Sequence, residues 1–292
     1  MISVCLVGLG KTGKEIANVL LNQENIKLVS AVCSQNSDKK GKDLGEIVGH
    51  IHTGIIVESS DNLKEIIFKS KPDVVIDFSN AEATIRNAVI FSKMKVNIVV
   101  GTTGFSKIAL KRLFILTKKY HNGIVYAPNI TLGVNVLMFL TNLASSILHN
   151  YDFQVFEIHH KNKKDSPSGT SLKIAKEIEK GLISSGMRCD ENDIPITAIR
   201  AGGVVGRHDV MIIGEDDKIE ISHESFSRKA FAHGAIRAVN FIFDKTGYHE
   251  MNDVLNFKKV LCDYLDIENK SLSKRYTYYN NDEAEFEFGS NA

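Results

Sequence analysis

The hydrophobic positions fall into two patterns that alternate along the first half of the chain. An apolar run at 2–7 is followed by a glycine-rich turn, and Ile16, Ala17, Leu20 and Leu21 then recur at helical spacing. Further apolar, β-branched runs at 27–33, 74–78, 96–100 and 124–126 predict strands, and the spacing at 81–92 and 108–120 predicts helices between them. Repeated strand–helix units imply a parallel sheet with helices on its faces. A long apolar helix over 132–148 is read as the crossing into a second domain. There a strand ends at 155–158, and Leu172, Ile174, Ala175 and Ile178 place a helix beginning near Pro167 with Ser166 as its N-cap. Strands at 196–199, 210–214 and 218–223 are separated by Gly202-Gly203, His208-Asp209 and Glu215-Asp216-Asp217, which predicts antiparallel pairing. A helix over 230–243 follows, and the chain returns towards the first domain through Leu255.

The predicted fold class is therefore α/β: an N-terminal Rossmann-type domain with a parallel sheet (1–129 plus about 237–268) and a second, α+β domain (130–236). Residues 276–292 are polar, aromatic and acidic with no period that would bury a face, so 269–292 is expected to be a flexible tail or a segment docking on a neighbouring subunit.

Composition narrows the function classes. A formal net charge of +1 over 292 residues gives no reason to expect nucleic acid or a membrane surface as partner. Cys5, Cys33, Cys189 and Cys262 lie far apart without metal-ligand spacing, which suits a reduced, cytoplasmic setting. The N-terminus runs straight into a strand, so no signal peptide is expected, and no apolar run is long enough for a membrane span.

The glycine-rich turn is Gly8-Leu9-Gly10-Lys11-Thr12-Gly13, a Gly-x-Gly-x-x-Gly between strand and helix. In that context the first glycine makes the turn, the second admits a pyrophosphate and the third lets helix pack on strand, so a dinucleotide is expected here. The second strand ends in Cys33-Ser34-Gln35, where a ribose-binding acid would be expected. Lacking that carboxylate, the site does not repel a 2′-phosphate, which Ser34, Lys39 and Lys40 could meet. The reading is NADPH or NADH with a lean to NADPH. Lys11 could also face phosphate. Three later strands end in small polar clusters: Asp77-Phe78-Ser79, Gly101-Thr102-Thr103-Gly104 and Tyr126-Ala127-Pro128-Asn129. Each alone could be an ordinary turn, but ligands of parallel sheets gather at such strand ends.

The chemistry is placed at Glu157-Ile158-His159-His160-Lys161-Asn162-Lys163-Lys164-Asp165-Ser166-Pro167-Ser168-Gly169-Thr170. The amides around Ser168, Gly169 and Thr170 would sit at a positive helix start, suited to a carboxylate or phosphate. His159 should titrate close to neutrality, and Lys163 beside a carboxylate should stay protonated, so proton donors are on hand. Metal binding is not expected, because adjacent strand residues such as His159 and His160 point to opposite faces.

Glu157-x-His159-His160-x-x-Lys163-x-Asp165-x-Pro167-Ser168-Gly169-Thr170 resembles the signature of the 4-hydroxy-tetrahydrodipicolinate (dihydrodipicolinate) reductases of bacterial lysine biosynthesis. The three strand-end clusters are similar to that family's in order and spacing, as are 200–206 and 227–235, and the resemblance covers about 2–257. It implies reduction of a cyclic dicarboxylate by a nicotinamide cofactor, with His159 and Lys163 as the catalytic acid pair and His160, Gly169 and Thr170 holding the carboxylates. It also implies that the strand-end clusters line the nicotinamide and ribose, and that the second sheet builds a homotetramer. Two departures fall on the cofactor side: Thr12 stands where the family usually has Met, and the ribose-reading acid is missing. Two other readings remain: a same-fold reductase of another cyclic imine or enamine diacid, and a catalytically silent NAD(P)-sensing protein.

Overall fold

The structure is a computed structural model and describes residues 1–190 and 193–267. Contacts group Met1–Val254 as one unit and Leu255–Ala292 as another. In the second unit residues 257–267 are helical, and the predicted tail at 269–292 lies outside the described residues.

The first sheet has seven parallel strands in the order β11-β6-β5-β4-β1-β2-β3. Its strands are β1 (Ile2–Val7), β2 (Ile26–Cys33), β3 (Val57–Ser59), β4 (Val74–Asp77), β5 (Asn97–Val100), β6 (Gly123–Tyr126) and β11 (Gly247–Glu250). The helices α1 (Lys11–Leu20), α2 (Leu44–Val48), α3 (Leu63–Ser70), α4 (Ala81–Lys93) and α5 (Lys107–Tyr120) connect them. Val4, Cys5, Leu6, Val75, Ile76, Ile98 and Val99 are wholly buried, as expected of strands covered on both faces. The short elements between 44 and 70 and strand β11 were not anticipated. Pairing of β11 with β6 is the physical form of the predicted return.

The second sheet has four strands in the order β10-β9-β7-β8: β7 (Asp152–His159), β8 (Ile196–Arg200), β9 (Gly206–Ile213) and β10 (Lys218–Ser225). Helices α6 (Leu132–Ile147) and α7 (Gly169–Ser184) cover one face, with Val134, Leu137, Ile174 and Ile178 meeting Phe153, Val155, Val210 and Ile212. Two helices complete the first unit, α8 (Lys229–Ile242) and α9 (Met251–Leu255), the latter ending one residue beyond it.

Three expectations are corrected here. β8 pairs parallel with β7, not antiparallel with β9, because α7 is a crossover that returns the chain to the end it started from. His208-Asp209 is no turn but lies inside β9, where His208 sits on the covered face. Helix α7 starts at Gly169 and is capped by Ser168, whose Oγ accepts from Ser171 N, so Ser166 and Pro167 belong to the preceding loop.

Candidate active site

On β7 the residues Phe153, Val155, Glu157 and His159 share the buried face, so the face that begins as core ends as a charged cluster. Glu157 is fully buried. Its Oε1 accepts from Ser168 N at 2.9 Å and from Arg200 Nη2 at 2.7 Å, and its Oε2 from Ser171 Oγ at 2.7 Å. Burial alone would raise the carboxyl; bonds from Ser168, Ser171 and Arg200 outweigh it and hold the pKa at about 2. Two imidazoles approach the same oxygen: His159 Nδ1 at 3.4 Å and His208 Nε2 at 3.8 Å. The rings meet edge to face, centroids 5.1 Å apart.

Burial pushes both histidines down to about 4, against the pull of Glu157 on each; His159 also disfavours a charge on His208. His159 is thus neutral at pH 7, which corrects the expectation that it titrates near neutrality: a buried imidazole loses more by desolvation than one engaged carboxylate returns. Lys163 pairs with Asp165 at 2.9 Å. Arg200 Nη2 also donates to Asp165 O at 2.5 Å, tying that loop to β8.

The start of α7 is partly used. The Ser168 N–H is given to Glu157, while Gly169 and Thr170, in the first turn, have backbone N–H groups without an intrahelical partner. These two remain open to an anion. Thr170 Oγ1 donates to Asn129 Oδ1 at 2.6 Å, joining the helix start to the loop after β6. A small cavity of about 70 Å³ lies there, lined by Pro128, Asn129, His159, Thr170, Gly206, His208 and His223 among others.

A larger open cavity of about 850 Å³ opens on the first sheet, against Gly8, Leu9, Gly10, Cys33, Ser34, Phe78 and Ser79. Gly8 has φ of +96°, and a Cβ there would sit 2.5 Å from Phe78 O, so only glycine fits this turn. A Cβ on Gly13 would overlap Gly8 O, which places the third glycine in helix–strand packing. Helix α1 has Gly10 as N-cap and no side-chain cap, leaving its first amides for a ligand. Residues and space therefore fit a dinucleotide.

The family models for dihydrodipicolinate reductase match this chain twice, the N-terminal one over residues 2–130 and the C-terminal one over 133–255. The chain is 36% identical over 273 residues to the 4-hydroxy-tetrahydrodipicolinate reductase of Methanocaldococcus jannaschii, covering 89% of this chain and 99% of that one. It is 37% identical over 269 residues to that of Methanopyrus kandleri, covering 87% and 97%. The chain belongs to the dihydrodipicolinate reductase family. It is an NAD(P)H-dependent oxidoreductase acting on 4-hydroxy-tetrahydrodipicolinate in lysine and diaminopimelate biosynthesis. A dipicolinate-bound dihydrodipicolinate reductase from Paenisporosarcina sp. TG-14 superposes with a TM-score of 0.71 at 26% identity, over 87% of this chain and 98% of that one. An amine dehydrogenase from Mycobacterium smegmatis shares the fold at 13% identity and a TM-score of 0.56, over 86% and 95%.

The sequence-predicted residues divide by position. Gly8, Leu9, Gly10, Cys33, Ser34, Phe78 and Ser79 line the large cavity; Pro128, Asn129, His159 and Thr170 line the small one. Lys11, Thr12, Gly101, Thr103, Tyr126, Ala127, His160, Lys163, Ser168 and Gly169 line neither. Asp77 is buried and raised by desolvation, and its carboxylate is taken up by Ser79, Thr84 and Asn87, so it shapes the strand end. Thr102 is bonded into the same network. Arg200, His208, His223 and Arg86 were assigned no role from sequence. Arg200 and His208 could have been found from strand alternation, since a polar residue on a buried face demands a partner. Glu157, His159 and His208 each bring one ligand atom within 4.8 Å of the others, but Arg200 and two serines already occupy the carboxylate.

Proposed function

We propose that reduction takes place beside the small cavity, with Gly169 and Thr170 holding a substrate carboxylate at the start of α7 and Lys163 supplying the proton. The nicotinamide, when bound, supplies a hydride to the substrate ring. Lys163 is the group suited to donate: it is paired with Asp165 near the cluster, whereas His159 is neutral in the free enzyme. A dianionic substrate beside His159 favours its charged form, so His159 joins as acid once the site is filled. His160 and Ser168 flank the substrate; Ser168 acts through its bonds to Glu157 and Ser171.

The nucleotide lies along the glycine turn, with the clusters after β4, β5 and β6 towards its nicotinamide end. NADPH is the preferred cofactor. Ser34, Lys39 and Arg86 line the cavity, and its one acid there, Asp61, has an oxygen engaged by Ser59 Oγ at 2.9 Å. Lys40 does not line it. The two sheets act as nucleotide and substrate domains that close on their ligands. The protein assembles as a homotetramer through the open face of the second sheet, which leaves Ile199 and Ile213 exposed. It works in the cytoplasm; among the described residues no helix is long and apolar enough to cross a membrane.

The observation that carries this reading is the open pair of amides at Gly169 and Thr170 beside His159 and Lys163. The test is oxidation of NADPH and of NADH with substrate formed in situ from pyruvate and aspartate semialdehyde. Turnover favouring NADPH, and falling about 10²–10⁴-fold in Lys163→Ala, is expected. Full activity of Lys163→Ala would overturn the role given to Lys163.

A further inference from the structure

His208 is buried, polar and unexplained by substrate contact alone. It projects from β9 into the space between Glu157 and His159, and its Nε2 lies 3.5 Å from Ser168 Oγ and 3.8 Å from Glu157 Oε2. Ser168 caps the helix whose open amides face the substrate, and Glu157 takes the Ser168 N–H. His159 Nδ1 stands 3.4 Å from Glu157 Oε2 but without hydrogen-bond geometry, so the carboxylate by itself does not fix the imidazole plane. What remains to fix it is the edge-to-face contact with the His208 ring, at 74° between planes, and the close wall at Gly206, where a Cβ would come within 3.1 Å of His159 Nε2. A buried ring with one nitrogen towards a carboxylate and a serine, and its edge on another imidazole, does more than fill volume.

We infer that His208 is a positioning residue for the reduction: from β9 it holds the His159 ring in plane and, through Ser168 and Glu157, locks that ring to the anion-binding start of α7. Substrate-carboxylate capture and the orientation of His159 are thereby one mechanical unit. The inference rests on the proposed role of His159 in proton handling. Groups facing His208 are Glu157 and His159 from β7, Ser168 at the start of α7, and His223 opposite it on β10; Lys163 and Arg200 act on the cluster from the loop and from β8.

The test compares His208→Gln, whose amide can place a donor near the position of Nε2, with His208→Asn and His208→Leu, which cannot reach Ser168. Two readouts are taken on the full chain: the NMR titration of the His159 ring, and kcat and KM with the pH profile. The expected result is a changed His159 titration and a fall in kcat of about 10-fold or more in His208→Asn and His208→Leu, with KM for NADPH kept and partial recovery in His208→Gln. If His208→Leu does not fold, His208→Asn decides. An unchanged His159 titration in a folded variant would overturn the inference, as would equal losses in Gln, Asn and Leu. His159→Gln, run alongside, separates the failures: full activity there removes the role given to His159, while its inactivity beside an unaffected His208→Asn removes only the role of His208.

Discussion

The two sheets of this molecule build their candidate sites by different physics. The first sheet is buried on both faces by apolar side chains, and what it offers at its strand ends is backbone: a turn at Gly8 that only glycine can adopt, and the uncapped start of α1. The second sheet offers side chains. The covered face of β7 passes from Phe153 and Val155 to Glu157 and His159, so charge is brought into the continuation of the core and satisfied there by Ser168, Ser171 and Arg200. A backbone site is disturbed mainly by added bulk. A buried charged cluster is disturbed by the loss of any one partner, because the others are left uncompensated.

The sharpest break of that contrast is Glu157→Gln, which leaves Arg200 with a weakened buried partner. It should cost about 3 kcal/mol of stability in urea unfolding. On the glycine side, Gly8→Ala adds a Cβ against Phe78 O at positive φ and should cost about 2 kcal/mol through strain, with weaker NADPH binding by calorimetry. A pH dependence separates the halves next. His159 and His208 have pKa values lowered from 6.5 to about 4, so the unfolded chain binds the extra protons. Their contribution to stability is complete above pH 6.5 and is lost as pH falls towards 4. Unfolding monitored across that window should show the loss, and His208→Gln should flatten it. Glu157, lowered from 4.5 to about 2, adds a further loss only below 4.5. The smallest effect is expected at the rim of the large cavity: Arg86→Ala should lower the NADPH-to-NADH preference about 5-fold, since an exposed cation is partly screened.

The two regions also differed in how much of them the sequence disclosed. Parallel strands buried on both faces leave continuous apolar runs, and the glycine turn is local, so the first sheet and much of its cleft could be read directly. The stretch 157–170 was equally legible because its residues are contiguous. Its partners were not. Arg200 and His208 reach Glu157 from β8 and β9, across 43 residues in the case of Arg200. Arg200 comes within reach through the parallel placement of β8 that turn residues alone mispredicted, and His208 through the antiparallel register of β9 on β7. His208-Asp209 looked like a turn because both residues are polar, yet His208 faces the cluster, while Asp209 is bonded by Arg207 and Ser222. The neutral state of His159 likewise follows from burial, which no local pattern carries.

Nucleotide binding and proton transfer should be separable tasks of the two sheets. Calorimetric titration of NADPH into Lys163→Ala, with turnover measured on the same preparation, tests it most directly. The NADPH affinity should stay within about 2-fold of the unsubstituted protein while turnover falls at least about 100-fold. A loss of affinity matching the loss of turnover would contradict it.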